Sequence, residues 1–82
     1  MARIPRIIDG EKCNLVGPNV RKYRRLRNMS QQQLADKLEL LPVYICRGSI
    51  SRVEDQSRTV TDIEVAGLAE ILGVSITDLF AE

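Results

Sequence analysis

Between residues 19 and 80 apolar positions recur every three or four residues with polar residues between them, the spacing of helices that each bury one face. The first such stretch starts near Asn19, where Val20, Tyr23, Leu26 and Arg27 fall at helical spacing. Pro18 suits a helix start, and Asn28 ends the run. Ser30 with Gln33 three positions on forms a capping box, the hydroxyl accepting from the Gln33 backbone while the Gln33 side chain reaches back. That box opens a second helix, with Leu34, Ala35, Leu38 and Leu41 as its buried stripe, continuing through Leu40 and Leu41 until Pro42 forbids it. Met29, just ahead of the cap, either staples against Leu34 or fills core.

The third helix, from about Arg47 to Asp55, has only Ile50 and Val53 to bury. Thr61 with Glu64 opens a fourth, whose Val65, Leu68, Ala69 and Leu72 share one face, flanked by Ile63 and Ile71, and Gly73 is its stop. Ser75 with Asp78 opens a last short helix carrying Ile76, Leu79 and Phe80. Five helices with no strand and no repeat predict a compact all-α bundle over residues 19–82. Residues 1–18, with Pro5, Gly10, Gly17 and Pro18 between short apolar pieces, are read as an extended amino-terminal arm.

Composition narrows the possibilities. A chain of 82 residues makes one domain, which at this size buries only about 60% of the surface its unfolded form exposes. No apolar run of about 18 residues offers a membrane span, and the amino terminus lacks the apolar core of a secretory signal, so a cytoplasmic protein is expected. Cys13 and Cys46 stand far apart with no histidine anywhere in the chain, which points to two free thiols and no metal site. No phosphate-binding glycine loop occurs, and Ser49 and Ser51 have no base to activate them, so neither an enzyme nor a cofactor is expected, and no small-molecule ligand is evident.

Charge changes the picture more. The formal net charge is +1, yet all twelve bases fall at or before Arg58 with six acids among them, a surplus of +6, while residues 59–82 carry five acids and no base. Arg21, Lys22, Arg24, Arg25 and Arg27 crowd into one helix. A basic body with an acidic carboxyl-terminal piece suits a polyanionic partner on one side.

Three segments in order are specific. Ser30-Gln31 with Leu34-Ala35, then Ile50-Ser51-Arg52-Val53-Glu54, then Leu68-Ala69 with Leu72-Gly73-Val74-Ser75 resemble the helix-turn-helix family of the Cro and phage-repressor type, the likeness running from Gly17 to Phe80. The resemblance implies a lambda-repressor-like bundle that regulates transcription by binding double-stranded DNA. Its third helix enters the major groove, docked by Ile50 and Val53. Arg47 and Gly48 then meet base edges, with Ser51 and Arg52 pointing into the groove from the next turn, and the two arginines are the candidate readers because a guanidinium can grip guanine O6 and N7 together. Gly48 either allows close approach to the duplex or marks a position of which nothing is asked. Gln31, Ser49, Gln56, Ser57 and Arg58 match positions that hold the DNA backbone, giving affinity and register without sequence information. Arg24 and Glu54 match positions that in the family often form an internal ion pair.

Two departures stand out. Glu39 occupies a place where glycine is typical, and the connection between helices 2 and 3 is about five residues longer than the usual turn of about 3–4. Cys46 stands at the N-cap of the third helix, where Ser or Thr caps better. The family's habit implies a homodimer, with Ile71, Ile76, Leu79 and Phe80 or the isoleucines of the arm as candidate contacts. The competing reading is a protein-interaction module, antitoxin-like or adaptor, that uses the same bundle to hold a partner protein.

Overall fold

Capping decides where most of the helices begin. A computed structural model describes residues 12–41 and 43–82, and it contains five helices: α1 (Gly17–Leu26), α2 (Gln31–Leu38), α3 (Arg47–Glu54), α4 (Asp62–Leu72) and α5 (Ile76–Phe80). No strand occurs among the described residues. Ser30, Thr61 and Ser75 each accept from the backbone of the residue three positions on, whose side chain returns the bond, so α2, α4 and α5 all start on complete capping boxes. Gly73 closes α4 in the left-handed conformation at φ 72°, and its amide and that of Val74 both return to the Ala69 carbonyl.

α1 begins at Gly17 rather than Asn19, because Asn14 organises its start. The Asn14 side-chain Oδ1 accepts from Gly17 N at 2.8 Å, and its Nδ2 donates to Val53 O at 3.1 Å and to Arg58 O at 2.7 Å. Asn14 and Val16 are buried, so this part of the expected arm belongs to the core. Residues 1–11, with Arg3, Arg6 and the arm isoleucines, lie outside the described residues. Gly17 is required by close approach: a Cβ there would stand 2.1 Å from the Val53 carbonyl oxygen.

The core is built from Val16, Val20, Leu34, Leu38, Val43, Ile45, Ile50, Val53, Leu68, Leu72 and Leu79 with smaller neighbours, each large side chain contributing roughly 1.5–3 kcal/mol by leaving water. Leu26, expected on the buried stripe of α1, is exposed: six residues past Val20 it has turned about 240° away. The inward position on that face goes to Arg24 instead. α2 stops at Leu38, short of the expected extension. Leu40 N bonds to Lys37 O and Leu41 N to Leu38 O, a tightened final turn that leaves Leu40 exposed and Leu41 half-buried. Ile63 and Ile76 face solvent, and Leu79 is the one buried residue of α5. Two side chains tie the carboxyl-terminal part to α1: Asn19 donates to Leu79 O and Ala81 O, and Arg27 to Leu72 O at the end of α4.

Candidate nucleic-acid interface

α3 is held to the protein along a narrow edge. Ile50 and Val53 are 1% exposed, while Arg47, Gly48 and Arg52 are exposed and Ser49 and Ser51 half-buried. The helix packs chiefly against α1 and α2, so its amino end and outer face project from the bundle. The four residues expected at base edges, Arg47, Gly48, Ser51 and Arg52, thus share one helix with two thin anchors. Arg47 and Arg52 form no ion pair among the described residues. The Arg52 guanidinium folds back along the helix, with Nη2 3.4 Å from Ser49 Oγ and Nη1 3.9 Å from where a Cβ on Gly48 would stand. No protein atom therefore demands a glycine at position 48. The sequence from Leu40 to Val53 contains no acid, which leaves this surface with cations and neutral polar groups.

One carboxylate ties α3 to α1 and α2. Glu54, fully buried at its side chain, receives Arg24 Nε at 2.6 Å and Arg24 Nη2 at 3.0 Å. It also receives Gln31 Nε2 at 3.1 Å and Arg21 Nε at 3.4 Å. Arg24 Nη1 completes its fork on the Met29 carbonyl. Arg24 and Glu54 are thus brought together, and Arg21 and Gln31 join them, two participants that no local pattern in the sequence marks. Burial works to raise the Glu54 pKa, but bonds from Arg24, Gln31 and Arg21 outweigh it and hold the carboxyl below its usual range.

The candidate backbone contacts are also engaged within the protein. Gln31 bonds Glu54. Gln56, in the left-handed region at φ 67°, donates to Asn14 O and accepts from Cys13 N through its own carbonyl. Ser57 donates to the Asp55 carboxylate. Arg58 grips Glu64 with both terminal nitrogens, at 3.1 and 3.0 Å, and these bonds hold the Glu64 carboxyl below its usual range. Ser49 is the least committed, its hydroxyl lying 3.5 Å from Cys46 Sγ.

α3 is uncapped. Cys46 has the extended backbone of an N-cap, but its thiol reaches only the Ser49 hydroxyl and makes no cap bond to a backbone amide, so the leading amides of α3 lack the partner that Ser30 and Thr61 supply elsewhere. Hydrogen bonding with the Ser49 side chain holds the Cys46 thiol below its ordinary pKa. Both cysteines are exposed thiols.

α3, tied to α1 through the buried Arg24–Glu54 pair and showing Arg47 and Arg52 on an exposed face, has the form of a helix that reads DNA. The chain matches the Helix-turn-helix family over residues 20–79 and belongs to it, in the branch typified by Cro and phage repressors. It is similar to control protein C.SmaI of Serratia marcescens, 40% identical over 65 residues that cover 79% of this chain and 71% of that protein. The protein is accordingly a DNA-binding transcriptional regulator.

Proposed function

We propose that this regulator reads the major groove with α3, that Arg47 and Arg52 carry sequence recognition, and that it represses transcription by occupying its operator as a homodimer. The observation that carries the reading is the pairing of a minimal apolar edge, Ile50 and Val53, with an acid-free outer face bearing Arg47 and Arg52. Each bidentate arginine–guanine pair is worth about 1–3 kcal/mol of discrimination against a wrong base. Gly48 and Ser51 line the groove between them. Gln31, Ser49, Gln56, Ser57 and Arg58 set the helix against the backbone, with the open amides of α3 available to a phosphate that Cys46 does not replace.

A two-fold pair matches DNA geometry, since half-sites one helical turn apart are separated by about 34–36 Å. Of the candidate apolar contacts, Leu79 is occupied in the core, while Ile76 and Phe80 remain exposed on α5 and are the ones we assign to the dimer. Sedimentation of the Phe80→Ser variant tests this: a shift towards monomer is expected, and an unchanged mass rejects the α5 contact.

Selection from random duplex DNA tests the readers. The parent should enrich a two-fold related site containing guanines. Arg47→Ala and Arg52→Ala should each relax preference at distinct positions within each half-site, and both variants enriching the parent's sites unchanged would reject the assignment.

A further inference from the structure

We propose that Tyr44 is a DNA-contact residue whose phenolic hydroxyl donates to a backbone phosphate, where the long connection between α2 and α3 passes the edge of the major groove. This rests on α3 being the helix that enters that groove. The connection occupies residues 39–46, between Leu38 and Arg47. Within it Val43 and Ile45 are buried, at 7% and 1% exposure, and Tyr44 between them is 74% exposed. Alternation of this kind turns successive side chains to opposite sides of an extended chain. The two flanking residues also fix the backbone. Val43 sits directly on Gly67 of α4, where an added Cβ would come within 3.0 Å of its Cγ2, and Ile45 is sealed in the core.

Tyr44 is thus displayed from an anchored segment two residues ahead of the N-cap, roughly 7 Å along the chain from Cys46 at the extended rise per residue. Chain leading into a helix whose amino end touches base edges must pass the sugar–phosphate backbone, and hydroxyl side chains make contacts there. Its hydroxyl has no hydrogen-bond partner among the described residues, and the nearest charged side chains along the chain towards α3 are Arg47 and Arg52, with no acid from Leu40 to Val53. An exposed aromatic ring three residues before Arg47, in a stretch without acids, suits a polyanionic surface.

The experiment compares the full-length parent with Tyr44→Phe and Tyr44→Ala on the duplex the parent itself enriches. Because Tyr44 is exposed, both variants should unfold at the parent's temperature. Tyr44→Phe should bind about ten-fold more weakly, on the enriched duplex and on a singly mismatched one alike. Methylphosphonate substitution along each half-site should find one phosphate whose neutralisation weakens the parent but leaves Tyr44→Phe unaffected. Parent-like affinity in both variants overturns the proposal, as does a phenylalanine variant that enriches a different sequence. A parent that enriches no duplex overturns the reading of α3, and this proposal falls with it.

Discussion

Glu54 accepts from Arg24 and Arg21 on α1 and from Gln31 on α2 while its side chain is closed to solvent, so loss of either principal partner leaves a charge stranded in the core. Arg24→Ala should lower unfolding stability by about 3–5 kcal/mol, while affinity per folded molecule changes little, a combination that denaturation and binding titrations of one preparation will separate. Because the folded pKa of Glu54 is depressed, its contribution is fully present above the unfolded value of about 4.3 and is lost as pH falls through the lower folded value. The stability gap between the parent and Glu54→Gln, followed by urea unfolding, should therefore be widest near neutrality and narrow below about pH 4.3. The two α-helical glycines flanking this network part company. Gly17→Ala drives a Cβ onto the Val53 carbonyl oxygen and should destabilise by more than about 2 kcal/mol, whereas Gly48→Ala meets no packed protein atom and should stabilise α3 by about 0.5–1 kcal/mol. If Gly48→Ala also weakens DNA binding, close approach to the duplex is the reason for the glycine.

Whole elements answer to their ends. Three capping boxes and Gly73 were legible in the sequence because each is a local exchange between residues three or four apart. The start of α1 was not, since Asn14 acts through carbonyls at Val53 and Arg58 that lie about 40 positions away, and no local pattern records such a partner. The end of α2 escaped for a related reason: Leu40 and Leu41 continue an apolar run, but the chain leaves the helix so that Val43 and Ile45 can reach the core. Composition cannot tell a helical leucine from one left in solvent. In α1 the buried face passes through Arg24, which hydropathy alone excludes and only the resemblance located. The N-cap of α3 has a direct test: Cys46→Ser should let the side chain accept from the first turn and raise stability by about 1 kcal/mol, read as a shift in the urea midpoint at constant slope.

Across the whole molecule the charge division is spatially meaningful. The acidic segment, residues 59–82, forms α4 and α5, with Glu64 occupied by Arg58, while residues 40–53, which lead into and form most of α3, carry no acid. A polyanion is therefore expected to meet Arg47 and Arg52 on the α3 side and to be repelled from the α5 side. Neutralised phosphates release counterions, so affinity for the enriched duplex should fall steeply and linearly on a logarithmic salt scale, and Arg58→Ala, which also frees Glu64, should reduce both stability and slope. A bundle that held only a protein partner has no cause to track salt this way. Whether α3 lies in the major groove with its arginines on guanines is read most directly by methylation interference on the enriched duplex. Guanines methylated at N7, in the major groove, should block the parent in both half-sites, with a separate guanine losing its effect in Arg47→Ala and in Arg52→Ala; interference confined to adenine N3 in the minor groove, or unchanged by either variant, would contradict it.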